Sequence, residues 1–238
     1  DSPETEDFVP FVIKPPKGKT TSKLLFVLPS NSYMAYSNDN LGTNSVVAQL
    51  LAGKVPVLAA SDLYLNEHRE YGLSTYSKHS DGTGVAISSR LRPILNMRPK
   101  YRHWLSPSLW QLNADLHLTD WLEEKNLEFD VVTDEDLHIE GVDMLNRYKC
   151  VLTGSHPEYS SEKMLAAYES YQLNGGRWIY LGSDGFYWIS EYHPDNPNII
   201  EVRKGEAGTR AWTANPGEYN NAFDGKYGGM WRARGRIP

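Results

Sequence analysis

Residues 151–171 read VLTGSHPEYSSEKMLAAYESY and set an imidazole and a carboxylate, His156 and Glu158, two residues apart between an apolar run and a helix. In some α/β enzymes such a strand-to-helix turn carries a nucleophilic Ser or Cys. Here it carries Glu158. Ser155 lacks the Gly-x-Ser-x-Gly frame, and Cys150 falls inside the strand, where a thiol is inert. These residues therefore speak against a serine or cysteine hydrolase. The glycines of GSDG and NGG lack the spacing of a nucleotide fingerprint. There is no Cys-x-x-Cys or His-x-x-x-His pair for zinc. Taken alone, the stretch also has a structural reading. Glu158 would be a carboxylate at a helix N-terminus, favoured by the dipole and free N–H groups, and His156 a satisfied imidazole.

The elements that must position these groups alternate. KLLFVLPS (23–30), FDVVTD (129–134), KCVLTGS (149–155) and RWIYLGS (177–183) read as strands. Residues 109–126 carry apolar side chains at helical spacing, at Leu112, Leu116 and Leu122. Residues 143–148 are at most a short helix, and residues 160–174 form a helix stopped by Gly175-Gly176. This order predicts a three-layer α/β/α domain with a mostly parallel sheet, spanning 23–238 after an N-terminal arm or linker over 1–22. Residues 31–45 read as a loop, 46–65 are apolar but ambiguous in period, and 66–108 form a long irregular insertion. Ligands bind such open sheets beyond the carboxyl ends of the strands. SNSYMAYSND, HPEY and SDGFYW each follow a strand and are expected on one rim.

Composition narrows the class. A net charge of −6 gives no reason to expect nucleic acid or an anionic membrane surface. No apolar run approaches the ~20 residues of a membrane span. The lone Cys150 makes no internal disulfide, so a reducing, cytoplasmic setting is expected.

The motifs GSHPEYSSEKMLAAYESYQLNGGRWIYLGSDGFYW, SYMAYSNDN, STYSKHSDGTGVAISSRLRPILNMRPKYR, ADLHLTDWLEE, DVVTDEDLH, EVRKGEAGTRAW and NPGEYNNAFDGKYGGMWRARGRIP together resemble the catalytic subunit of N,N-dimethylformamidase and its relatives, colinearly from about residue 24 onward. The resemblance implies a hydrolase that cleaves the C–N bond of a small N-substituted amide, formamide to formate plus amine. It also implies one non-haem iron, Fe(III) and mononuclear, held by two tyrosinates and a glutamate. Carried over by motif, the ligands are Tyr36 of MAYSN, Tyr76 of STYSKHSDG and Glu158, with His156 beside the iron as general base or water-orienting group. Asp184 stands where the family has Asn near the substrate, in GSDGFYW against GGNGFYW, and is expected with His156 and Glu158 among the catalytic residues. A small accessory subunit, a homo-oligomer, and a longer chain with a β-rich domain before this region are further implications. The ligand set is chemically coherent. Phenolates and a carboxylate are hard anionic donors suited to a trivalent cation. Three such ligands leave positions open for water and substrate. A relative of this family serving only binding or assembly, or acting on another C–N bond, is the competing expectation.

Overall fold

The first strand, β1 (Leu24–Leu28), alternates its side chains between two cores because successive residues of a strand point to opposite faces. Leu25 and Val27 enter one core, Phe26 and Leu28 the other. The computed structural model describes residues 7–40, 49, 50, 53, 55–204 and 218–236. β1 is followed by α1 (Ser30–Ala35), α2 (Ala60–Glu67), β2 (Ile87–Ser89), α3 (Leu112–Glu124), β3 (Asp130–Thr133), α4 (Asp134–Glu140) and α5 (Val142–Leu145). Then come β4 (Cys150–Thr153), β5 (Tyr159–Ser160), α6 (Glu162–Leu173), β6 (Arg177–Ile179), β7 (Trp188–Ile189), β8 (Glu191–His193) and β9 (Asn196–Glu201).

The main sheet is parallel throughout, in the order β3-β1-β4-β6. Leu137, Leu145, Met164 and Tyr168 cover one face, from α4, α5 and α6. Leu122, Leu112 and Leu118 of α3 cover the other, which makes the three layers expected from the alternation. The chain leaves β1 for β3 on one side and then crosses to β4 on the other. The switch in strand order therefore lies between β1 and β4, and it is beyond the carboxyl ends at such a switch that open sheets take their ligands.

A second sheet, antiparallel β2-β9-β8, lies apart from the first in the pairing. It places Ile200 in a core with Met34, Ala35, Tyr159, Trp188 and Val202. The insertion at 66–108 is thus not wholly irregular, since it supplies β2. Residues 31–45 are not wholly loop either. α1 forms there although its side chains are polar, because buried neighbours satisfy them. Asn31 donates to Ser190 Oγ at 3.2 Å and accepts from the Tyr192 hydroxyl. The ambiguous stretch 46–65 ends in α2, and residues 41–48, 51, 52 and 54 lie outside the described residues. So do 205–217, which include most of EVRKGEAGTRAW and part of NPGEY.

Two strand ends came out shorter than their apolar runs. β6 stops at Ile179 rather than 183, and β1 at Leu28, where Pro29 lacks an N–H to continue the ladder. Residues 7–22 of the arm run without helix or strand. They are tied down by Lys14 to Asp136 and by the Thr21 N–H to Asp130 at 2.9 Å. Among the described residues, no helix is long and apolar enough to cross a membrane.

Candidate active site

The HPEY turn is shaped by close approaches. A Cβ at Gly154 would stand 2.4 Å from Pro29 Cδ and 2.7 Å from an Asp115 oxygen, so only glycine lets β4 end against α3 here. The Asp115 carboxylate then accepts the Ser155 N–H at 2.5 Å. From the other side α1 clamps the turn. Ser32 Oγ donates to the His156 carbonyl at 2.5 Å and accepts the Glu158 N–H at 3.2 Å. The Glu158 carbonyl accepts from Tyr187 and Trp188, and β5 pairs with β7.

Glu158 is therefore held by a β-frame, not by a helix terminus. The helix α6 is capped later, by Ser161, whose hydroxyl accepts the Met164 N–H at 3.4 Å. Glu158 lies three residues ahead of that cap, too far to use the first-turn N–H groups, which corrects the expectation that the dipole holds it. Its partners are side chains.

Tyr36 is the C-cap residue of α1, and its hydroxyl donates to Glu158 Oε2 at 2.8 Å. Tyr76 reaches in from the 66–108 segment, where the Thr75 N–H donates to Ala35 O and the Tyr76 N–H to Ser74 Oγ. Its hydroxyl lies 2.5 Å from that of Tyr36, 3.4 Å from Glu158 Oε1 and 2.6 Å from the Tyr159 hydroxyl. The two rings stack, with centroids 4.4 Å apart. His156 Nε2 lies 2.9 Å from Glu158 Oε2, and its Nδ1 faces Ser183 Oγ at 3.5 Å. Both His156 and Glu158 are 6% exposed, so this is an interior contact and not a solvated pair.

Tyr36, Tyr76, His156 and Glu158, each singled out in the sequence, thus converge. Asp184 does not join them. It is exposed, with a left-handed φ of +49, and no hydrogen bond links it to the cluster. Its neighbour Ser183 makes the contact instead, brought close because Gly182 packs where a Cβ would stand 2.4 Å from Pro157 Cδ.

Three residues beyond the sequence reading complete the site. Tyr159 adds a third buried hydroxyl. Trp110 sets its ring 5.1 Å from His156 and edge-on to Tyr36 at 5.7 Å. Lys204 is fully buried, its Nζ 2.9 Å from the centre of the Tyr76 ring and 5.3 Å from that of Tyr159, with no hydrogen-bond partner among the described residues. A signal for Lys204 was present. In IIEVRK the period-2 alternation puts Ile200, Val202 and Lys204 on one face, and all three are 0% exposed.

Electrostatics follow from burial. Desolvation pushes the Tyr36, Tyr76 and Tyr159 phenols well above their usual range, with the nearby Glu158 adding to it. Desolvation likewise holds the Lys204 amine well below the ordinary lysine range, against the pull of Glu158 and Asp39.

Two phenols and a carboxylate are a hard oxygen set of the kind that suits a hard cation. Their spacing is that of hydrogen bonds: Tyr36 to Glu158 Oε2 at 2.8 Å, Tyr36 to Tyr76 at 2.5 Å and Tyr76 to Glu158 Oε1 at 3.4 Å. No cluster of three His, Cys, Asp or Glu suited to a metal exists among the described residues. The donor set here reaches three only through its phenols.

A parallel sheet with helices on both faces, and a buried carboxylate–imidazole pair among phenols at its carboxyl rim, define an α/β domain with a polar cluster where such sheets take their ligands. The chain belongs to the N,N-dimethylformamidase beta subunit-like C-terminal family, whose sequence profile matches residues 1–238. It is 47% identical over 235 residues to the N,N-dimethylformamidase beta subunit of Paracoccus aminophilus. The beta subunit from an Alcaligenes species matches at the same 47% identity. In both cases the match covers 98% of this chain but 31% of the relative, so the chain spans about a third of the curated relatives it matches. The family read from the motifs is thereby established, with the matched proteins named as beta subunits.

Proposed function

We propose that this domain carries the reaction centre of an amide hydrolase acting on small N-substituted formamides. The observation that carries it is the convergence of the Tyr36, Tyr76 and Glu158 oxygens within 3.4 Å of one another, with His156 hydrogen-bonded to that same carboxylate. The names of the relatives supply the reaction class.

Tyr36, Tyr76 and Glu158 would hold a mononuclear Fe(III), which supplies Lewis acidity toward the amide carbonyl and toward water. An N,N-dialkylamide needs that help, because it is resonance-stabilised. The chain's own residues do the rest. Glu158 Oε2 orients His156 through Nε2, which leaves Nδ1 with its lone pair directed away from the carboxylate. Nδ1 takes the proton of the attacking water and returns it to the leaving amine. Ser183 Oγ faces Nδ1 at 3.5 Å. Lys204, lying over Tyr76 with its amine held toward the neutral form by burial, offers a buried N–H donor to negative charge as it grows in the transition state. Trp110 and the stacked tyrosine rings exclude bulk water. Asp184, exposed, is given no step.

The word subunit in the relatives' names supports assembly with another chain; a small accessory chain and further copies remain what the resemblance implies. Since two thirds of each relative lie beyond this domain, a role in binding or assembly alone is the competing reading. Turnover separates the two. Iron-loaded full-length protein is expected to release formate and dimethylamine from N,N-dimethylformamide, and His156→Gln to slow that release ~10²-fold or more. Protein that holds iron but hydrolyses no formamide, acetamide or urea would overturn the hydrolase reading.

A further inference from the structure

Beside the cluster lies a set of polar groups that the reaction scheme leaves unused. Trp110 Nε1 is buried with no hydrogen-bond partner among the described residues, and the same holds for both Nε2 and Oε1 of Gln111. Gln111 is 3% exposed, an interior amide. Buried polar side chains are nearly always hydrogen-bonded in native proteins, and adjacent exceptions call for a reason.

The backbone deepens the anomaly. Gln111 has φ +51 and ψ −125, a left-handed conformation in a residue with a side chain. It stands at the N-cap of α3, yet its side chain makes no capping bond. Strain of this sort persists where the surroundings impose it, and it gathers at ligand sites.

Placement ties the pair to the candidate site. The Trp110 ring lies between two imidazoles, 4.8 Å from His103 in a stacked arrangement and 5.1 Å from His156. His103 is itself fixed from behind, its Nε2 3.3 Å from Asp39 Oδ2 and both residues buried. One turn into α3, Asp115 bonds the Ser155 N–H, so the start of this helix is docked on the turn that carries His156. The indole plane is thus locked against the catalytic imidazole, and Gln111 follows it directly.

We propose that Trp110 and Gln111 are the substrate-orienting wall of the site, hydrogen-bonding the polar atoms of a small neutral amide. The indole N–H and the carboxamide N–H suit a carbonyl oxygen, and the carboxamide oxygen suits an N–H or the attacking water. None of these groups carries charge, so the wall selects a neutral planar molecule and not a carboxylate or an ammonium. The proposal rests on the amide-hydrolase reading of the same site.

The test uses Trp110→Phe and Gln111→Leu in the full-length, iron-loaded protein. With N,N-dimethylformamide, each is expected to raise KM about 3- to 10-fold, the loss of one neutral hydrogen bond. kcat should stay within about 2-fold, because contacts that bind substrate and transition state alike appear in KM. The thermal midpoint of Gln111→Leu should equal or exceed the parent's, since an unpartnered amide leaves the interior. A residue with only a structural role would give the opposite, a lowered midpoint with kcat and KM falling off together, and that result overturns the proposal, as does a parental KM in both variants. If the parent turns over no amide, the hydrolase reading fails and binding decides the wall separately. A rise in the parent's thermal midpoint with N,N-dimethylformamide that both variants lose supports it. No rise in the parent, or an equal rise in all three proteins, overturns it.

Discussion

Asp134 opens α4 at the carboxyl end of β3 and is 3% exposed. Its carboxyl is pushed up to about 8, chiefly by burial and further by the nearby Asp115 and Asp136, while the Asn31 N–H at 3.0 Å opposes the shift. Below about pH 4 the group is protonated in folded and unfolded chains alike and costs nothing. From pH 4 to 8 the unfolded chain ionises it and the folded chain does not, so stability falls as pH rises. Above about 8 the loss is complete. Each tenfold difference in proton affinity is worth about 1.4 kcal/mol, which sets a ceiling of roughly 6 kcal/mol over this window. Relaxation and water entry around the carboxylate reduce that to several kcal/mol. At 2–4 °C per kcal/mol for a domain of this size, the thermal midpoint should drop by about 10 °C between pH 5 and 9. Asp134→Asn keeps an acceptor for the Asn31 N–H and cannot ionise. Its midpoint should exceed the parent's at pH 9 and lose most of that slope. Urea or thermal unfolding across pH 5–9 reads both curves. Parallel curves for parent and variant would refute the assignment of this carboxyl as buried and neutral.

Three further outcomes follow from the site. His156→Gln should retain the metal while turnover falls ~10²-fold or more, whereas loss of metal with activity would make the imidazole a ligand or a support. Lys204→Met removes an unpartnered buried amine while keeping its volume. The metal-free thermal midpoint should hold or rise, by up to about 1–3 kcal/mol in stability, while turnover drops, and a lowered midpoint with parental turnover would make Lys204 purely structural. Asp184→Asn, at an exposed position, should change stability by less than ~0.5 kcal/mol and leave the pH profile of turnover unchanged. A gain in preference for dialkylformamides would instead bring Asp184 to the substrate.

The main sheet was legible because its strands are apolar on both faces, as in LLFVL and CVLT, and because Ser161 and Gly175 punctuate α6. The rim followed from the order of elements, and Tyr36, Tyr76, His156 and Glu158 gather there as their motifs imply. What stayed hidden was carried by tertiary partners. α1 opens with Ser30, Asn31 and Ser32, whose polar groups are satisfied by distant partners such as Asp134, His156, Ser190 and Tyr192. α4 carried a capping box, Thr133 with Asp136, but its DEDLHIE sequence is too short and too acidic to show helical periodicity. The second sheet is made of strands of three to six residues, short enough to vanish among turns. Lys204 was concealed by its type. A lysine at the end of an alternating strand reads as solvated, since burying an unpaired amine is costly and rare outside functional sites.

The central claim is that Tyr36, Tyr76 and Glu158 bind one metal ion together. The most direct measurement is metal content with the visible spectrum, on protein produced in iron-supplemented medium, for the parent and for Tyr36→Phe, Tyr76→Phe and Glu158→Gln. The account predicts one iron per chain and a coloured tyrosinate charge-transfer band in the parent. It predicts loss of iron in Glu158→Gln, and a shifted or bleached band with weakened binding in each tyrosine variant. A colourless, metal-free parent, or three variants that keep the parent's iron and spectrum, would contradict it.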